Sequence, residues 1–171
     1  MGHPRAVEIY KKLLTLTRKA ALEVEADRQL HYGDYINHED EWFPDDFEKI
    51  LQEGHDLGQR MHKAFSDAFD RGYKHVVIIG SDCPEIDAKT LQDAFTRLNQ
   101  NDAVIGPAND GGYYLLGLSR KVNIFTDIKW STESVFDETV SQIKKHHLSY
   151  YVLPEKTDLD TIEDLQKFPS L

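Results

Sequence analysis

The chain has 171 residues, 40% of them hydrophobic, which fits one domain, 1–171, with a core of its own. Its formal net charge is −10, so nucleic acid and anionic membranes, which both need basic patches, are not expected partners. Cys83 is the lone cysteine, so no internal disulfide forms; with no membrane-length apolar run and no signal-peptide core, the chain reads as cytoplasmic.

Residues 4–23 predict an amphipathic helix opened by Pro4, with Ala6, Tyr10, Leu13, Leu14, Thr17 and Ala21 on one face. "RQLHY" (28–32) predicts a strand, 33–46 an acidic loop broken by Pro44, and "FEKIL" (47–51) a short strand. Residues 57–70 predict a helix with Leu57, Met61, Ala64, Phe65 and Ala68 inward. "HVVIIG" (75–80) is the clearest strand, and Asp87 caps a helix over 87–99. Strands follow at 102–106 and 112–118, too close together for a helical crossover and therefore antiparallel. A helix over 131–146 starts at Ser131 and ends in Lys144, Lys145 and His146, which suit its dipole. A strand at 148–153 and a short helix at 160–168 complete the chain. Alternating strands and helices argue a three-layer α/β/α fold on a mainly parallel, mixed sheet. Ligands in such folds bind beyond the carboxyl ends of the strands.

"SDCPEID" (81–87) stands at such an end. Asp before Pro-containing turns is a common turn initiator. Asp82 also suits a hard cation, because carboxylate oxygens hold Mg²⁺ or Mn²⁺ together with substrate phosphates. Ser81 can orient that carboxylate, and Cys83 reads as a small packing residue. In "GPANDGGYYLLG" (106–117) a β-turn accounts for one glycine, but less well for Asn109, Asp110 and the adjacent Gly111 and Gly112. Asp110 can bind a hydroxyl, bind a metal or act as a base. One of Tyr113 and Tyr114 is expected in the core. In "TDLDTIEDL" (157–165), Asp160 or Thr161 caps a helix, or Asp158 or Asp160 is a second metal ligand facing Asp82. In "QEGHDLGQRM" (52–61), Asp56 caps the next helix, or its N-terminus and Arg60 form an anion site. Trp130 in "KWSTES" (129–134) either stacks on a base or sugar or is half-buried core. The Walker, Rossmann, HExxH and GxSxG motifs are absent from the sequence.

In this order and spacing, "QEGHDLGQRM", "VVIIGSDCPEI", "VIGPANDGGYYLLGL", "IKWSTESV" and "DLDTIEDL" together resemble a bacterial family of glycosyltransferase-like proteins. Its fold is the GT-A, nucleotide-diphospho-sugar transferase-like one. The family is kin to molybdenum-cofactor and phospholactate guanylyltransferases. The resemblance implies a metal-dependent transferase that binds a nucleotide or nucleotide sugar and a small-molecule acceptor, with Mg²⁺ or Mn²⁺ as cofactor. It implies Asp82 as the metal carboxylate, Asp160 (or Asp158) as the second, and Asp110, Gly111 and Gly112 in the donor or acceptor pocket. Asp56 and Arg60 would be substrate-facing loop residues. A nucleotidyltransferase joining an NTP to a phosphorylated acceptor is the alternative within the same fold. Family members usually begin with a strand and a basic phosphate loop, and this chain begins at the helix that follows them. Either the chain is truncated or this copy is a catalytically inactive binding module.

Overall fold

The computed structural model describes residues 3–169 and Leu171. Among the described residues five helices and six strands follow in this order: α1 His3–Leu22, β1 Gln29–Tyr32, β2 Glu48–Leu51, α2 Leu57–Asp70, β3 Val76–Ile79, α3 Ala88–Leu98, β4 Ala103–Pro107, β5 Tyr113–Leu118, α4 Val135–Lys145, β6 Tyr150–Val152 and α5 Ile162–Gln166. No helix among the described residues is long and apolar enough to cross a membrane.

The main sheet has the order β3-β5-β4-β6. β5 is antiparallel to both neighbours, with Val76 opposite Leu118 on one side and Ala103 opposite Leu118 on the other. β4 and β6 are parallel. Three of the four strands thus run one way, and the short 108–112 turn forces β5 to run the other. β1 and β2 form a separate parallel pair, Gln29 opposite Glu48. The resemblance implies one more strand in this sheet; among the described residues none pairs with the free edge of β3. All four β3 side chains stay half-buried, whereas β4 and β5 are almost wholly buried.

Two apolar layers sandwich the main sheet. One joins Ala20 of α1 and Val24 just beyond it to Leu91, Ala94 and Leu98 of α3, over Val104, Tyr114 and Leu115. The other joins Met61 and Phe65 of α2 to Ile143 of α4, under Ile105, Leu116 and Leu118. The two tyrosines fall in different layers: Tyr114 is fully buried in the first, and Tyr113 is half-buried against the second.

Three local expectations are corrected. The buried stripe of α1 is Ile9, Leu13, Thr17 and Ala20, while Ala6 and Tyr10 are exposed and Leu14 and Ala21 only half-buried. Ile9 and Ala20 outweigh Tyr10 because a tyrosine at the surface keeps its hydroxyl wet. Leu57 is exposed and Gly58 takes its place inside α2, because Leu57 stands at the first helical position beside the cap. Helix α4 begins at Val135, not Ser131. Ser131 has a left-handed backbone, φ 62, and the chain folds over before the helix starts. Ser134 stands at its N-cap but donates to Glu138 Oε1 at 3.0 Å, so its side chain caps no backbone group.

The expected cap at Asp87 is present: its carboxylate accepts from Thr90 N at 2.8 Å and Thr90 Oγ1 at 2.6 Å. Those bonds hold its pKa below the usual carboxylate range. Asp87→Ala is expected to cost about 1 kcal/mol, measured by urea unfolding. The loss should fade as acid protonates Asp87 in both states. At α5 the cap is Thr161, closed by a reciprocal bond with Asp164.

Candidate functional site

Four hydrogen bonds, two of them accepted by side chains, gather the carboxylates. After β3 the chain turns at Gly80, whose missing side chain leaves room for Asp82: a Cβ there would lie 2.6 Å from Asp82 Oδ1. After β4, Ala108 bridges to Lys156, and Asn109 N donates to Lys156 O at 3.0 Å. Asn109 Oδ1 then accepts from Asp158 N at 3.1 Å. On the other side, Leu159 N donates to Asp82 O at 3.0 Å, and Thr157 N donates to Glu85 Oε2 at 2.7 Å. The segment 156–160 is therefore sewn both to the turn after β3 and to the turn after β4. The result places Asp82, Asp110, Asp158 and Asp160 within one electrostatic neighbourhood at the carboxyl ends of β3, β4 and β6.

Asp158 is the innermost, 7% exposed, with its Oδ1 bare of any hydrogen-bond partner. Burial raises its pKa to about 7, and the charges of Asp82, Asp110 and Asp160 push the same way against a hydrogen bond from the Cys83 thiol. Asp82 stands open at the mouth, yet enough protein crowds its carboxylate for desolvation to raise its pKa, with Asp110 adding to the rise. Asp160 is exposed and shifted upward by desolvation and then by Asp110 and Asp82. No cation is among the charges that act on these three. Cys83 is buried and its thiol is pushed up to about 12 by desolvation, so it packs and does not attack.

Asp110 lies in the turn before β5, and its Oδ1 accepts from Gly112 N at 2.8 Å. Gly111 has φ 88, a conformation that disfavours side chains, and a Cβ there would collide with the backbone of Glu133. Asp56 caps α2 by accepting from Gln59 N at 2.8 Å. Arg60 is spent on its own loop, donating to Gly54 O and to Gln52 Oε1, both at 3.1 Å. Among the described residues, no hydrogen bond or ion pair joins Asp56 or Arg60 to the four carboxylates. Trp130 lies half-buried against Gly58 and the ring of Phe125. Asn109, Glu85 and Lys156 do the stitching, and neither Glu85 nor Lys156 carries a local signal of that role in the sequence. The presence of Asn109 beside the double glycine was the only hint.

The donor set is all oxygen, and a buried bare carboxylate oxygen beside uncompensated like charges fits a hard divalent cation. Among the described residues no three His, Cys, Asp or Glu side chains converge tightly enough to hold an ion alone. Mg²⁺ commonly keeps waters and takes only one or two carboxylates plus phosphate oxygens, so a site for it does not require three converging side chains.

Known proteins share this architecture. The chain is 32% identical over 121 residues to the 2-phospho-L-lactate guanylyltransferase of Methanocaldococcus jannaschii, matching 69% of this chain and 51% of that one. The same enzyme from Methanocaldococcus sp. strain FS406-22 is 31% identical over the same span. The chain thus spans about half the length of the curated relatives it matches. A crystal structure from Desulfovibrio desulfuricans G20, provisionally described as a nucleotide-diphospho-sugar transferase, superposes with a TM-score of 0.86 at 33% identity. It covers 96% of this chain and 74% of that one. Rv0371c from Mycobacterium tuberculosis H37Rv, at 15% identity and TM-score 0.59, shares the fold. The fold is therefore the nucleotide-diphospho-sugar transferase-like one that the motifs led us to expect. Residues 15–132, more than half of the chain, match the family described as "Uncharacterized protein conserved in bacteria (DUF2064)", and the chain belongs to that family.

Proposed function

We propose that the chain carries a metal-dependent nucleotidyltransferase site, joining an NTP to a phosphorylated small-molecule acceptor. One observation carries the proposal: at the carboxyl ends of three strands, the pKa values of Asp82, Asp158 and Asp160 are pushed upward by desolvation and then by one another's charge and that of Asp110, and no cation stands among the main charges acting on those three. A polyphosphate could not approach that cluster unaided. The guanylyltransferase relatives support nucleotidyl transfer, and the 2-phospho-L-lactate they are named for is itself a phosphorylated acid.

Asp82 and Asp158 would hold Mg²⁺ or Mn²⁺, with Asp160 completing the set from the rim. The bound ion supplies charge neutralisation for the phosphates. An acceptor phosphate oxygen attacks the α-phosphorus, the bond to the β-phosphate oxygen breaks, and pyrophosphate leaves. The attacking phosphate is already an anion near neutral pH, so no general base is needed. Asp110 then orients the acceptor rather than taking a proton. Gly111 and Gly112 leave backbone open for its approach. Asp56 and Arg60, both engaged within their own loop, are given no contact with substrate in this reading.

A second reading is glycosyl transfer from a nucleotide sugar, favoured by the Desulfovibrio desulfuricans structure. There the acceptor is a hydroxyl, and Asp110 becomes the base. Product analysis separates the two: NTP with phosphorylated acceptors should release pyrophosphate, while nucleotide sugars should release no nucleoside diphosphate. Metal-independent nucleotide binding, unchanged in Asp82→Ala, would sink both.

A further inference from the structure

Two glycines on different elements press against one loop. A Cβ at Gly58, in the first turn of α2, would stand 2.7 Å from both Cζ2 and Nε1 of Trp130. A Cβ at Gly111, beside Asp110, would collide with the carbonyl of Glu133. Phe136 N closes the same contact by donating to Gly111 O at 2.9 Å. Residues 130–133 therefore reach from the first turn of α2 to the Asp110 turn.

That reach is held stiff. Asp127 and Ser131 adopt left-handed backbones at φ 60 and 62, which side-chain-bearing residues keep only when their surroundings enforce it. Thr132 Oγ1 donates to Lys129 O at 2.7 Å, and Lys129 N donates to Glu138 Oε2 at 2.6 Å. Ser134 Oγ donates to the other oxygen of Glu138 at 3.0 Å. The indole is backed by Phe125, centroid to centroid 6.4 Å. A tryptophan that only filled the core would need neither the bare glycine nor the braced, strained loop beyond it.

We propose that residues 129–134 form a strut that sets the spacing between the Asp110 turn and the loop of Asp56 and Arg60. Trp130 is then a positioning residue and not a stacking surface for a base. The inference rests on the transferase reading for its catalytic consequence, but the strut can be tested without catalysis. In a ¹⁵N-labelled protein, Gly58→Ala should shift the Gly111 and Gly112 amide resonances, although the substitution lies on another element. Gly58→Ala with Trp130→Leu, which removes the ring atoms the new Cβ meets, should return them toward wild type. Turnover of NTP should follow: about tenfold lower kcat in Gly58→Ala, KM for NTP changed less than about threefold, and most of the loss regained in the double variant. If Gly58→Ala melts far below wild type, Trp130→Leu alone carries the test, since losing the α2 anchor should shift the same two amides. Gly111 and Gly112 resonances unmoved in both single variants would overturn the strut. So would a double variant as impaired as Gly58→Ala. A wild-type protein without turnover would sink the transferase reading and leave the resonance outcome to stand or fall separately.

Discussion

Asp82→Asn should raise the stability of the metal-free protein and remove its response to Mg²⁺ or Mn²⁺. Both effects follow from the same crowding of charge. Asp82 raises the pKa of Asp158 and of Asp160, and is itself raised by desolvation and by Asp110. Without a cation, these carboxylates repel one another, and an isosteric amide removes one charge while keeping the shape. Asp82 is open to solvent, so the gain in the metal-free protein should be modest, up to about 1 kcal/mol. The loss on the liganded side is larger. Metal with nucleotide at about 100 times its Kd should stabilise wild type by about 2.7 kcal/mol, and the variant should gain almost none of it. Turnover should fall by at least about 100-fold, since even residues that merely orient metal ligands cost 10–100-fold. Thermal melts with and without Mg²⁺ and GTP, run beside pyrophosphate release, check all three. A variant that melts lower than wild type without metal, or binds nucleotide as tightly with it, defeats the assignment of Asp82.

The layered fold was legible because its elements are local. "VVII", "AVIGP" and "YYLLGL" form strands within a residue or two of where their β-branched and apolar runs predict them. Asp87 caps α3 as its spacing requires. The misses were also local, but each turned on a tertiary contact. Ser131 reads as an N-cap by composition, yet the strut against Gly58 and Gly111 bends the backbone there and delays the helix to Val135. On α1 the expected Leu13 and Thr17 are buried, but Ile9 and Ala20 take the places given to Tyr10 and Ala21, because neighbours of similar apolarity are told apart only by packing.

The carboxylates of the candidate site were legible in the sequence, and the wiring that gathers them was not. Asp82, Asp110, Asp158 and Asp160 stand out as carboxylates at strand ends. Nothing local brings residue 158 to residue 82. That is done by Asn109, Glu85 and backbone pairing between Ala108 and Lys156, contacts that span 47 to 72 positions of sequence. The ranking within the set also depended on tertiary structure. Asp158 was a second choice in the sequence, and the fold makes it the buried one.

That burial yields the last expectation: the metal-free protein should lose stability between about pH 4 and pH 7, and Asp158→Asn should abolish most of the loss. Asp158 has an ordinary pKa of 3.8 when unfolded and about 7 in the fold. Below both values it is protonated in either state and contributes nothing. As pH rises through 3.8 the unfolded chain releases its proton while the folded one keeps it, so stability falls until the folded group ionises near 7. At about 1.4 kcal/mol per pH unit the ceiling is about 4 kcal/mol. Relaxation of the surroundings and water reaching the carboxylate should reduce it to about 1–2 kcal/mol. His31 opposes this in part of the window: burial lowers its pKa, so the fold gains stability as pH rises and the unfolded imidazole deprotonates. Asp164, held at about 2 by Thr161 and Lys167, acts at lower pH. The difference between wild type and Asp158→Asn cancels both. Urea unfolding at pH 4, 5.5 and 7.5 should give curves that nearly coincide at the lowest pH, with the variant more stable at the highest. Mg²⁺ should bind wild type more tightly at pH 7.5 than at pH 5.5, because the ion must displace the proton from Asp158. Parallel stability curves, together with a metal affinity indifferent to pH, would remove Asp158 from the site.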